Sequence, residues 1–153
     1  MKKIFLLLSI FVSSLCYGEL IPKNFKIRVI NDVDSAIAIL NKSFKIQYYA
    51  PRAVDINSEF FDQTTDVGKI GAHGWGWGVR TAEQHKATYY EYITKIYVRK
   101  KWIIYIENSV NKADQLIFKN KAVAEETISA LLCLIKNSGN RYSQKIHADM
   151  NIH

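Results

Sequence analysis

The fold class is decided by residues 88–107, TYYEYITKIYVRKKWIIYIE. Apolar and polar residues alternate along the first part of this stretch, which predicts a strand from Thr88 to Arg99 with one face toward a core. Lys100 and Lys101 interrupt the alternation. The run from Trp102 to Glu107 is again rich in isoleucine and aromatic residues, which favour strands. The stretch therefore predicts an antiparallel hairpin.

An amphipathic helix is predicted after the hairpin and a short strand at 116–118, from a cap at Asn120 to about Lys136. Its apolar residues recur at three- and four-residue spacing and form one stripe. The stripe contains Ala124, Ile128, Leu131, Leu132 and Ile135. Gly139 lies just past the predicted end, where glycine is common. The fold class that follows is α+β, with an antiparallel sheet and a C-terminal helix packed on it.

The N-terminal part adds a shorter helix to this picture. Residues 25–30 alternate in polarity and predict a strand, and Asn31 or Asp32 can cap a helix that contains Val33, Ile37 and Leu40. A second strand is predicted at 44–49. The polar, acidic stretch from 51 to 67 is predicted to be a long loop or irregular edge.

The order of elements from Ile70 to Ile135 resembles the layout of pleckstrin-homology-like domains. That resemblance rests on strands followed by a final amphipathic helix, and it implies a β-barrel closed by a C-terminal helix. We keep this barrel as the alternative fold. Because fold alone does not determine function, the resemblance implies no activity.

The first 18 residues have the pattern of a secretory signal peptide. Two lysines precede an apolar stretch from Ile4 to Leu15, and small residues stand at Cys16 and Gly18. Cleavage before Glu19 would deliver a periplasmic or secreted protein. The apolar stretch as a helix would span only about 18 Å of a hydrocarbon core about 30 Å thick, so no stable membrane span is expected. The alternatives are lipid attachment at Cys16 and a hydrophobic first element of a cytosolic domain.

Removal of the signal peptide leaves a single domain at 19–139 and a polar tail at 140–153 that is expected to be mobile. The full chain has 21 basic and 14 acidic residues, and loss of Lys2 and Lys3 lowers the formal charge from +7 to +5. These charges are scattered, which argues against a nucleic-acid partner. Cys133 would be the only cysteine left, so no internal disulfide is expected, and its apolar neighbours predict a buried side chain.

The most unusual segment is Gly71-Ala72-His73-Gly74-Trp75-Gly76-Trp77-Gly78-Val79-Arg80. If it is one extended strand, His73, Trp75 and Trp77 fall on one face and the glycines on the other. Such a face would suit stacking on rings, whereas the bare face would admit close approach of a backbone or ligand. The alternative is that both tryptophans belong to the core. The candidate ligand-binding residues are His73, Trp75, Trp77, Tyr90 and Tyr92.

Catalytic and metal sites have weaker support in the sequence. No phosphate-binding loop or serine nucleophile motif is present, and the four histidines never pair at the helical i, i+4 spacing. His147, Asp149 and His153 could bind a metal only adventitiously. His73 with Asp62 or Asp66 could form an acid–base pair. We expect no metal site and no cofactor.

The function expected from the sequence is an exported, non-enzymatic binding or interaction domain whose partner is a protein or a small ligand. The Gly/Trp segment is its candidate contact surface. Two alternatives stay open: a small secreted hydrolase that uses His73 with a carboxylate from 55–66, and a structural subunit of a cell-envelope assembly.

Overall fold

The structure, a computed structural model, describes residues 22, 24–73, 76–99, 102–110 and 113–150, with the backbone alone for 66–73 and 76–83. The predicted signal peptide and its cleavage site lie outside the described residues. The elements in chain order are α1 (Val33–Lys45), β1 (Ala53–Ile56), β2 (Phe60–His73), β3 (Gly76–Tyr89), a 3-10 turn (Tyr90–Tyr92), β4 (Ile93–Arg99), β5 (Ile103–Asn108), β6 (Asp114–Ile117), α2 (Lys121–Asn137) and α3 (Ser143–Asp149).

The predicted α+β class is confirmed, with two antiparallel sheets in place of one. Each sheet has three strands, in the orders β1-β2-β3 and β4-β5-β6. Within the described ranges the strands form these two separate sheets, and no closed barrel of the pleckstrin-homology-like kind is found. The core lies between the sheets and the two longer helices, and its largest buried side chains include Phe44, Phe61, Tyr90, Ile96, Ile104 and Leu131.

Helix α1 begins at the predicted cap and runs further than predicted. The backbone N–H of Ser35 donates to Asp32 Oδ2 at 2.8 Å, which satisfies an otherwise unpaired donor of the first turn. This bonding lowers the pKa of the Asp32 carboxyl. Phe44 follows Leu40 at i+4 and is buried with it, so the helix continues to Lys45. The strand predicted at 44–49 is therefore wrong.

The N-terminal segment 25–30 forms no strand, so the strand predicted there is wrong. Its backbone bonds to side chains of α2: Lys26 N donates to Glu125 Oε1 at 2.7 Å and Arg28 N to Ser129 Oγ at 3.0 Å. Phe25, Ile27 and Ile30 pack against the core. Alternation predicted the half-buried Phe25 and Ile27 correctly, but it also placed Val29 on the core face, and Val29 is 68% exposed. A polarity pattern also cannot identify the hydrogen-bond partner of the backbone.

The acidic stretch predicted as a loop forms β1 and most of β2. β1 pairs with β2 from Ala53↔Thr64 to Ile56↔Phe61. Phe61 points into the core and contacts Phe44 edge-to-face at a centroid distance of 5.1 Å. Asp55 and Thr65 are exposed, Asp62 and Gln63 are half-buried, and Thr64 is buried. The polar composition indicated a loop because it does not show that these residues pair in a sheet.

The predicted hairpin forms between β4 and β5, from Ile93↔Asn108 to Arg99↔Ile103. The single strand predicted at 88–99 is interrupted by the 3-10 turn, where the chain passes from one sheet to the other. Asn140 fixes this turn, since its Nδ2 donates to Tyr90 O at 2.6 Å and to Ile93 O at 2.8 Å.

The C-terminal helix α2 is confirmed with its cap, because Ala122 N donates to Asn120 Oδ1 at 2.8 Å. Cys133 is buried in it as predicted, and burial raises the pKa of its thiol. The segment predicted as a mobile polar tail instead carries α3, which buries Ile146 and Met150, two apolar residues at i, i+4. None of the helices in the described ranges is long and apolar enough to cross a membrane.

Candidate functional site

A long hairpin made by β2 and β3 projects beyond its sheet. The two strands pair from Phe60↔Tyr89 to His73↔Gly76, whereas β1 pairs with β2 only as far as Thr64. Residues 65–73 and 76–84 therefore continue as a two-stranded ribbon, which we call the hairpin arm. At about 3.3 Å per residue its nine register pairs span roughly 30 Å.

The Gly/Trp segment forms the end of this arm and is divided between two strands, since β2 ends at His73 and β3 begins at Gly76. Gly71 pairs with Gly78 and Ala72 with Trp77. Because cross-strand partners share a face and neighbours alternate, positions 73 and 77 lie on opposite faces. The single extended strand assumed from the sequence is therefore wrong. Trp75 lies outside the described residues, as do the side chains at 73 and 77.

The remaining two predicted contact residues lie at the other end of the hairpin. Twelve residues separate Trp77 from Tyr89 on β3, a distance of about 40 Å, so the five candidates do not form one surface. Tyr90 is fully buried, and its hydroxyl has no hydrogen-bond partner among the described residues. Burial raises the pKa of this hydroxyl. Tyr92 is 39% exposed and contacts Tyr89 at 6.1 Å between ring centroids.

The proposed acid–base pair of His73 is excluded by the strand it belongs to. Asp62 and Asp66 stand eleven and seven residues before His73 on β2, or roughly 36 Å and 23 Å along an extended strand. Asp55 lies opposite Asp62 on β1 and is no closer. A hydrogen bond of about 3 Å to His73 is therefore impossible for these carboxylates.

A different histidine does meet an acid at the base of the arm. His85 Nδ1 lies 3.1 Å from Thr64 Oγ1 and 3.6 Å from Asp62 Oδ2. A nucleophile–histidine–acid relay needs one ring nitrogen for each partner. Here the same nitrogen faces both groups, so the cluster links the strands without forming a relay.

A polar cleft of about 410 Å³ lies between β3 and β6. Its polar lining includes Gln47, Gln63, Gln84, Lys86, Asp114 and Gln115. Four of these six are glutamines from four different parts of the chain. No local spacing in the sequence could have identified them. Gln63 and Gln84 lie on the paired strands β2 and β3, Gln115 lies on β6, and Gln47 follows α1.

The floor of the polar cleft is an ionic and hydrogen-bonded network that joins the two sheets. Asp114, only 6% exposed, accepts hydrogen bonds from Lys86 Nζ and from the Thr88 hydroxyl. Lys86 Nζ also donates to Ala113 O at 3.1 Å. Gln47 Nε2 donates to Gln63 Oε1 at 3.0 Å on the α1 side.

An aromatic cleft of about 540 Å³ adjoins the polar cleft, and Tyr49 and Ile117 line both. Tyr49 is 72% exposed and contacts Tyr48 edge-to-face at 4.6 Å. Trp102 lines the far side and has φ of 59°, a left-handed conformation rare for a bulky residue. Its carbonyl accepts from Phe118 N at 3.3 Å.

Comparison of the chain with protein-family models, with curated proteins and with solved structures found no match. The chain is therefore classified by its own structure, as an α+β domain with two antiparallel sheets, a projecting hairpin arm and a polar cleft beside an aromatic one. Across the described ranges, no group of three histidine, cysteine, aspartate or glutamate side chains is placed to hold a metal ion.

Proposed function

We propose that the chain is an exported, non-enzymatic binding domain that contacts a protein or ligand through the end of its hairpin arm. The observation that carries this proposal is the extension of β2 and β3 about 30 Å past the last residue paired with β1. A segment that only filled a core would not need a two-stranded ribbon of this length. The contact residues in this proposal are His73, Trp75 and Trp77.

The composition of the arm supports a contact role. Gly71, Gly78 and Gly76 occupy neighbouring register positions on one face, and glycine admits close approach of a backbone or a ring. In the described pairing the outer edges of 65–73 and 76–84 bond to no further strand, so a partner could also pair with the backbone there. The separation of His73 from the carboxylates of β1 and β2 argues against the hydrolase alternative.

The proposal is tested by photo-crosslinking in the producing cell, with a photoreactive residue at position 77. A matched control carries the same residue at Glu126, an exposed position on α2. We expect a discrete cross-linked species from position 77 alone. Equal labelling at both positions, or none at 77, would contradict the proposal. A product of twice the chain mass would instead favour the envelope-assembly alternative, in which the open edges of the arm join copies of the chain.

Export is tested separately by the intact mass of the protein recovered outside the cytoplasm. We expect an N-terminus at Glu19. A mass that still includes Met1 would contradict export by a cleaved signal peptide.

A further inference from the structure

We infer that the polar cleft binds a neutral, polyhydroxylated ligand of the oligosaccharide class, with Tyr49 as its stacking platform. This site is distinct from the end of the hairpin arm: Gln84 at the cleft stands eight residues from Gly76 on β3, or about 26 Å. The inference goes beyond the proposed function and does not depend on it.

The charge of the cleft selects a neutral ligand. Lys86 and Asp114 are the charged residues among those described at the cleft, and they are paired with each other. An anionic ligand would have to compete with Asp114 for the lysine, and a cationic ligand with Lys86 for the carboxylate. Because breaking a largely buried pair is costly, neither charge is available to a ligand.

The remaining polar groups match hydroxyl groups. Gln84 and Gln115 are exposed on the two walls, and each amide offers two donors and an acceptor. A sugar hydroxyl is likewise both donor and acceptor. Gln63 is already oriented by its bond from Gln47, so part of the lining is ordered before a ligand arrives.

Tyr49 provides the apolar contact that a sugar ring needs. Its ring is largely exposed, yet its position is fixed, because the adjacent Tyr48 N donates to Ile117 O at 2.8 Å and the two tyrosine rings are in contact. Tyr49 also borders the aromatic cleft. Trp102 on the far side of that cleft has a strained backbone, a feature that clusters at ligand sites. A second sugar ring would lie in the aromatic cleft.

The test is saturation-transfer NMR on the purified protein with maltotriose, cellotriose and chitotriose. A heparin disaccharide and a neutral proline-rich hexapeptide serve as probes of the competing ligand classes. We expect saturation transfer to at least one of the three trisaccharides. Tyr49→Ala should weaken its binding about tenfold or more, whereas Tyr49→Phe, which keeps the ring, should bind like the wild type.

Two control variants separate this site from the others. Tyr92→Ala removes an exposed tyrosine outside the cleft, and Trp77→Ala changes only the arm, so both should leave trisaccharide binding unchanged. The inference is overturned if no trisaccharide binds, if Tyr49→Ala binds as well as the wild type, or if only heparin or the peptide binds. Failure here leaves the cross-linking result at position 77 unaffected.

Discussion

Replacing Tyr90 by phenylalanine should stabilise the protein. Tyr90 is fully buried, its ring lies 6.0 Å from that of Phe61, and its hydroxyl has no hydrogen-bond partner among the described residues. The main-chain carbonyl of Tyr90 keeps its bond from Asn140 in the variant. The substitution therefore removes one unpaired polar group and leaves the packing of the ring in place.

The expected gain follows from two opposing contributions. A buried hydroxyl without a partner costs about 1–3 kcal/mol. Its removal leaves a void of about one atom, and the lost contacts lower the free energy of unfolding by roughly 0.5–1 kcal/mol. The net increase in the free energy of unfolding should be about 1 kcal/mol, or about 3–5 °C in Tm for a domain of this size.

The assay is urea and thermal unfolding followed by circular dichroism, with Tyr92→Phe as the matched control. Tyr92 is 39% exposed, so removal of its hydroxyl should change the free energy of unfolding by less than about 0.5 kcal/mol. A loss of about 1 kcal/mol or more in Tyr90→Phe would refute the reasoning. It would mean that the hydroxyl has a hydrogen-bond partner in the folded protein.

Three further predictions concern the same core and the floor of the cleft. Burial raises the pKa of the Tyr90 hydroxyl, so above about pH 10 the folded state keeps a proton that the unfolded state loses. The urea midpoint of the wild type should therefore fall relative to that of Tyr90→Phe as the pH rises above about 10. Parallel plots of midpoint against pH for the two proteins would contradict this. Asn140→Ala removes three hydrogen bonds, those to the carbonyls of Tyr90 and Ile93 and the one from Tyr142 N. It should lower the free energy of unfolding in urea by about 2–4 kcal/mol, and a wild-type midpoint would contradict this. Lys86→Met leaves the carboxylate of Asp114 without its counter-charge and should lower the free energy of unfolding by roughly 2–4 kcal/mol. This loss is smaller than for a fully buried pair, because the lysine side chain is 32% exposed. The double variant with Asp114→Leu should recover part of this loss, because the buried Thr88 hydroxyl then lacks its acceptor. Additive losses would show that the pair is not coupled.

Periodicity predicted the elements whose pattern is set by local burial. The cap at Asp32, the β4–β5 hairpin and the helix from Lys121 to Asn137 all follow from spacing that the structure retains. The short alternating run that begins at Phe44 matches the last turn of a helix as well as a strand, so local periodicity could not distinguish them. In the folded chain Phe44 lies in the last turn of α1 and packs against Phe61 of β2. β1 was missed because its four residues, three of them apolar, are too few to show a clear alternation and are surrounded by polar residues.

The candidate sites show a different limit of the sequence. The alternation of glycine with larger residues in the Gly/Trp segment is the same whether the chain forms one strand or is divided between two. Periodicity within the segment therefore could not show that positions 73 and 77 lie on opposite faces. The polar cleft had no sequence signal, because its glutamines are brought together only by pairing between distant residues. The pairing register, which depends on the whole sheet, determines which residues lie together at both sites.

Ionic strength should separate the two proposed sites, because they differ in charge. The hairpin arm begins at the register pair Thr65↔Gln84. Every second pair lies on the same face, and on this face two basic positions, Lys69 and Arg80, are paired just before Gly71↔Gly78. The polar cleft, in contrast, has its lysine neutralised by Asp114. Exposed charges are screened over about 8–10 Å at moderate salt. Binding of an acidic partner along this face of the arm should therefore weaken as salt increases, whereas trisaccharide binding at Tyr49 should not change. Equal salt dependence of the two would mean that one ligand contacts both regions.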